Sequence, residues 1–225
     1  MPPVATGPRY CRHCDIIKPD RTHHCRHCAR CVLQFDHHCL WIGQCVGWRN
    51  HAVFITFNFW AGLFCLYNMI LLIVHTAKTP KVDGQQVALI VVSGLLFLFT
   101  LVMLFPTHIH LILSGKSTIE SFQESAQRRR ENHALAEQLG PCNVKGRRAV
   151  LKQWDTEWGG VDISDRWVFG TKSQLWKREM GDNWIRWILP VGKPKGDGIH
   201  FESNPRFGPN GEWLPKEAWP TVAAI

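Results

Sequence analysis

The chain has 225 residues, enough for one or two domains, and it is basic, with 26 Lys and Arg against 18 Asp and Glu. A mild positive excess suits an anionic membrane surface or a phosphate-bearing ligand. The longest basic run, Arg128 to Arg130, is too short to favour nucleic acid, so no nucleic-acid partner is expected.

Residues 1–10 read as the end of a linker. Met1-Pro-Pro-Val-Ala-Thr-Gly-Pro lacks the charged start and apolar core of a secretory signal. The cysteines that follow are therefore read as metal ligands rather than disulfides. Seven of the nine cysteines lie between Cys11 and Cys45. That segment has too few apolar residues for a core of its own and is expected to fold on metal.

Ala52 to Val74 is apolar and uncharged. Val87 to Phe105 is too, and its apolar character continues past Pro106 to Leu113. A hydrocarbon core needs about 20 helical residues, so each segment can span it. The connector, His75 to Gln86, is polar and holds Pro80 and Gly84. Seven basic residues precede the first span, whereas the connector carries Lys78 and Lys81. The positive-inside rule then puts the Cys-rich segment and the tail in the cytosol. Asn58 and Asn68 in the first span are expected to face a helix or cavity rather than lipid. The expected fold is an α-helical integral membrane protein, a transmembrane hairpin with a cytosolic two-zinc domain of short loops and hairpins. Its parts are residues 1–51, 52–74, a lumenal connector at 75–86, 87–113 and a cytosolic tail at 114–225.

In the tail, Ser117 to Leu139 reads as a polar helix ending at Gly140-Pro141. Beyond it the sequence is rich in Gly, Pro and Trp. Trp176, Trp184, Trp187 and Leu189 fit either the headgroup level of a bilayer or a small irregular core. No internal repeat is read in the chain.

Two CxxC pairs, Cys11/Cys14 and Cys25/Cys28, let two thiolates approach one zinc. Cys31, Cys39, Cys45 and several histidines follow. Two zinc sites need eight ligands, and seven cysteines with two histidines supply nine candidates, so one thiol can stay free. Spacing leaves open which thiol that is, and whether the sites are sequential or interleaved. His13, His23, His27 and His51 read as exposed polar residues. Asp36-His37-His38-Cys39 puts a thiol beside an imidazole beside a carboxylate. A histidine can take a thiol proton, and a carboxylate can fix that histidine's tautomer. A purely structural set, with Cys39 as a metal ligand, remains the alternative from these four residues.

Cys11, Cys14, His24, Cys25, Cys28, Cys31, Asp36, His37, His38, Cys39, Cys45, Asn50 and Phe54, followed by two spans, resemble the DHHC family of protein S-acyltransferases (palmitoyltransferases). The resemblance implies that Cys11, Cys14, His24 and Cys31 hold one structural Zn2+ and that Cys25, Cys28, His38 and Cys45 hold the other. Cys39 is then the free nucleophile, His37 its base and Asp36 the group that orients His37. The family's Thr-Thr-x-Glu motif is matched by Ser117-Thr118-Ile119-Glu120, with Thr118 approaching Asp36 and Glu120 tying the tail to the Cys-rich domain. Ser-Thr-x-Glu also reads as a helix capping box. Leu40 stands where the family has Pro.

The implied activity moves a long-chain acyl group, palmitoyl, from acyl-CoA to cysteines of membrane-associated protein substrates through acyl-Cys39. Arg9, Arg12, Lys116 and Arg128 are candidates to meet the CoA phosphates. The implied setting is an endomembrane (Golgi, ER or vacuole) or the plasma membrane, with room for an accessory subunit. Family members carry two further spans before the Cys-rich domain, so the sequence is expected to be truncated. The tail around Trp184 to Pro190 is loosely similar to fungal members. The rival readings are a membrane-tethered zinc-binding adaptor without catalysis and a zinc-dependent ubiquitin ligase of the RING type.

Overall fold

The computed structural model describes residues 9–158, 163–209 and 211–219. The Cys-rich segment forms three antiparallel two-stranded hairpins. They are β1 (Tyr10–Cys11) with β2 (Ile16–Ile17), β3 (His23–Cys25) with β4 (Arg30–Val32), and β5 (His37–Cys39) with β6 (Gln44–Val46).

The three hairpins are copies of one another. Cys11 faces Ile16, Cys25 faces Arg30 and Cys39 faces Gln44, each 14 residues after the last. Each turn passes through one left-handed residue at the same place: Asp15 (φ 56°), Ala29 (φ 49°) and Gly43 (φ 63°). That conformation is strained for Ala29 and free for Gly43. The expectation of no internal repeat is thus corrected. Tyr10, Ile17 and Ile42 stand where the repeat elsewhere has His or Cys, and this erases the period from a reading by ligand type.

The first long helix, α1 (His51–Lys78), starts directly after the third hairpin. Asn50 joins the two: its Oδ1 accepts from the Gly47 N–H at 3.0 Å and its Nδ2 donates to the Cys45 carbonyl at 3.0 Å. The second apolar stretch is one helical rod in three parts. It runs as α2 (Gly84–Phe97), a π-helical turn (Leu98–Leu104) and α3 (Phe105–Leu113). The π turn ends where Pro106 begins. Proline lacks an N–H and crowds the carbonyl four residues back, and a wider turn relieves both problems. Both rods are long and apolar enough to cross a bilayer, and their outward faces are apolar, as at Phe64 and Leu95. They approach closely at Gly62, where a Cβ would lie 2.5 Å from the Leu101 Cβ. Asn58 is buried and bonds the Phe54 carbonyl in its own helix; half-buried Asn68 bonds Phe64 in the same way.

The tail is more helical than its composition suggests. Helix α4 (Thr118–Leu139) carries the capping box between Ser117 and Glu120. It is followed by α5 (Val144–Trp158), a 3-10 turn (Ile163–Trp167), α6 (Lys172–Met180) and the short α7 (Ile185–Ile188). Thr171 and Gln174 cap α6 reciprocally, a start signal the Trp-rich composition conceals. The tail tryptophans divide. Trp176 and Trp187 pack with Met180 on Ile55 of α1 and Ile112 of α3, whereas Trp184 stays exposed. The tail therefore clamps the base of both apolar rods beside the third hairpin.

Candidate active site and metal centres

Two cages of thiols and imidazole lie between consecutive hairpins. Cys11 and Cys14 of the first hairpin meet His24 and Cys31 from the second hairpin's strands; Cys25 and Cys28 meet His38 and Cys45 of the third. The sites are therefore interleaved. His24 Nδ1 lies 3.5, 3.3 and 4.0 Å from the sulfurs of Cys11, Cys14 and Cys31. His38 Nδ1 lies 3.6, 3.5 and 3.6 Å from those of Cys25, Cys28 and Cys45. A tetrahedral zinc with three thiolates and one imidazole has ligand–ligand edges of roughly 3.5–3.8 Å, so the Cys3His donor sets fit this ion. His13 and His27, read from sequence as exposed polar residues, stack on the ligand rings of His24 and His38 at 4.8 and 4.6 Å.

The third hairpin has no later hairpin to serve. Cys39 occupies the place of Cys11 and Cys25, but Ile42 replaces the second thiol of the pair. Neither cage includes Cys39. It packs instead with Val46 and Phe54, only 6% exposed. Trp41, at the place of His13 and His27, turns outward to Phe99 of the second rod at 5.4 Å. Leu40 is exposed beside it.

Asp36 directly precedes β5 and His37 opens it. His37 Nδ1 and Asp36 Oδ2 are 2.7 Å apart. Thr118 holds both carboxylate oxygens, its N–H donating to Oδ1 and its hydroxyl to Oδ2, each at 2.7 Å. Burial alone would push the Asp36 carboxyl up. The hydrogen bond from His37, nearby imidazoles and the Thr118 N–H outweigh it and hold the group well below the usual carboxylate range. For His37, burial opposes the charged ring, but Asp36 and the Cys39 thiol raise its pKa on balance. With Nδ1 committed to Asp36, Nε2 is the nitrogen left for a thiol. Glu120 bonds the buried Arg21 guanidinium at 2.8 and 2.6 Å and closes the capping box at Ser117. One short motif thus caps α4, grips Asp36 and anchors the tail to the Cys-rich segment.

Sequence reading missed three residues. His51 is buried, not exposed, and its Nδ1 meets Glu179 Oε1 at 2.6 Å. His108 of α3 is buried between His37 and His51. An ionisable residue in an apolar span was the available signal for His108; Glu179 gave none. Lys116, a candidate for CoA phosphates, is already paired with Glu124 at 2.7 Å and Asp165 at 2.9 Å.

The family model for DHHC palmitoyltransferase matches residues 5–125. Palmitoyltransferase ZDHHC20 of Bos taurus is 32% identical over 199 residues, covering 86% of this chain and 46% of that protein. Probable protein S-acyltransferase 16 of Arabidopsis thaliana is 32% identical over 203 residues, with 87% and 62% covered. Palmitoyltransferase ZDHHC15 of Rattus norvegicus is 38% identical over 199 residues, with 86% and 50% covered. The chain spans about half the length of the curated relatives it matches. With the matched family model covering more than half of its residues, and both thiol cages and the Asp-His-His-Cys strand inside the match, this chain belongs to the DHHC palmitoyltransferase family.

Proposed function

We propose that this chain transfers a long-chain acyl group from acyl-CoA to cysteines of membrane-associated proteins, with Cys39 as the covalent carrier. One observation carries the reading. Eight ligands fill two closed cages, and the thiol left over lies on the strand that bears an Asp36–His37 pair. The relatives named as palmitoyltransferases support the palmitoyl group as cargo.

In the first step His37 Nε2 takes the Cys39 proton and the thiolate attacks the thioester carbonyl. The bond from carbonyl carbon to the CoA sulfur breaks, and the CoA thiolate leaves with the proton from His37. Acyl-Cys39 remains. In the second step His37 Nε2 takes the proton of a substrate cysteine, whose thiolate attacks the acyl-Cys39 carbonyl; the bond from that carbon to the Cys39 sulfur breaks, and Cys39 takes the proton from His37. Asp36, held by Thr118, keeps His37 in the tautomer that accepts at Nε2. Zinc, when bound in the two cages, supplies structure only, because each has four protein ligands and no open position. The acyl chain is assigned to the apolar rods, where burying each methylene contributes about 0.8 kcal/mol.

The protein is membrane-associated. The basic flanks assign the Cys-rich domain (1–51) and tail (114–225) to the cytosol and the connector (75–86) to the lumen. The setting is an endomembrane (Golgi, ER or vacuole) or the plasma membrane. The test is acyl-CoA self-labelling of the membrane-expressed chain, wild type against Cys39→Ser, with zinc quantified in both. Hydroxylamine-labile label on the wild type, lost in a variant that keeps two zincs, is expected. Equal label in both proteins would move the acyl carrier off Cys39, and none on the zinc-loaded wild type would leave the adaptor reading.

A further inference from the structure

We propose that Glu179, on tail helix α6, is a positioning residue for the base that serves Cys39. The inference rests on the acyl-carrier reading of Cys39. It starts from a row of three imidazoles. The His51 ring meets the His108 ring edge-on at 5.8 Å and 69°, and the His108 ring lies 5.8 Å from that of His37. Phe54 backs the row, 5.1 Å from His108 and 5.3 Å from His37. The row ends at Asp36 and begins at Glu179, whose Oε1 meets His51 Nδ1 at 2.6 Å. Glu179 is itself fixed, because its Oε2 accepts from Gln34 Nε2 at 2.8 Å and the next residue, Met180, is wholly buried against Ile55 and Ile112.

Two features make this more than a tether for the tail. His51 Nε2 makes no hydrogen bond among the described residues, so Glu179 supplies the hydrogen bond that sets the ring's orientation. Asp36, His51 and Glu179 also line one small common void, so the two ends of the row face the same space. His51 packs on His108 and His108 on His37, so the orientation Glu179 gives the first ring bears on the last. Tail docking by itself does not require a buried carboxylate, since apolar packing of equal volume commonly serves as well.

The test uses the whole zinc-loaded chain in lipid nanodiscs and four variants: E179Q, H51F, the double variant, and M180A as a control that loosens α6 through packing alone. Single-turnover formation of acyl-Cys39 is followed against palmitoyl-CoA concentration. Alkylation of Cys39 by iodoacetamide is measured in parallel by mass spectrometry. The expectation for E179Q is an about tenfold lower saturating rate, with half-saturation and zinc content unchanged. H51F should lose about as much and the double variant no more than either single one, since both act along one path. Cys39 alkylation should slow by a similar factor in E179Q and much less in M180A. A wild-type rate in E179Q, additive losses in the double variant, or the same pattern in M180A would overturn the proposal. If the wild type forms no thioester, the acyltransferase reading fails, and the alkylation rates still decide whether Glu179 acts on Cys39.

Discussion

The second and third hairpins share a register and a turn geometry, yet one gives both its turn thiols to a candidate metal cage and the other carries the candidate nucleophile. The second offers Cys25 and Cys28 to its successor. The third offers Cys39 and Ile42, and its successor is a helix. The first hairpin shows the converse loss, with Tyr10 and Ile17 where later copies have ligands. Three copies in series make two junctions and therefore two cages whose donors fit zinc, and one thiol at the open end lies outside both. A single replacement, Ile42 for cysteine, together with a neighbouring Asp-His pair, separates the two outcomes.

The largest effects should come from exchanging the roles of the two cysteines. Cys25→Ser should lose a zinc and the order of the Cys-rich segment, because binding a structural zinc is worth on the order of 10 kcal/mol. Cys39→Ser should keep both zincs and lose the acyl label entirely. Metal analysis and hydroxylamine-sensitive labelling on the same samples read both. Stripping zinc with a strong chelator should melt all three hairpins together, seen as lost strand signal by circular dichroism and no label until zinc is restored. Retained label after complete zinc loss would contradict the structural role of the metal.

Ile42→Cys sharpens the comparison by restoring the missing half of the knuckle. Free zinc should then lower Cys39 acylation several-fold, and a mild chelator that spares the closed cages should restore it. An unchanged rate would mean the third turn cannot close on metal even with both thiols. Thr118→Val comes next. It removes one hydrogen bond to a charged carboxylate, worth roughly 1.5–3 kcal/mol, and leaves the Thr118 N–H in place. The label rate should fall about tenfold with zinc content unaltered.

The smallest effect concerns pH. Burial alone would raise the Glu179 carboxyl, but His51, Arg21 and Gln34 depress it to about 2. A depressed carboxyl adds stability that is complete above its unfolded pKa, about 4.3, and is lost as pH falls toward the folded value. Wild type should therefore be more stable than E179Q at neutral pH, with the difference shrinking between about pH 4 and 2. A thermal-shift difference that stays constant over that range would remove Glu179 as its source.

Much of this molecule was legible from its residues. The Cys and His spacing supplied nine candidates for eight ligand places, the family resemblance implied which thiol is left over, and the uncharged stretches marked two rods. Ser117 to Glu120 marked a helix start. The repeat was not legible, because Ile17, Tyr10 and Ile42 break the ligand pattern while leaving the backbone register intact. Helices α5 and α6 were hidden by a composition rich in Gly, Pro and Trp. His51 and His108 were misread or unread, since their partners lie more than 50 residues away.

The sequence by itself determined what local chemistry can determine: donor types, their spacing, apolar length and cap residues, each acting over a few turns of chain. Only the tertiary structure brought the thiols of one hairpin against the histidine and cysteine of the next and left Cys39 outside both cages. It also brought His108 to the Asp36–His37 pair and Glu179 to His51. The physical reason is that side chains far apart in sequence meet where packing places their helices. In this chain the tail packs on both apolar rods through Met180, Trp176 and Trp187.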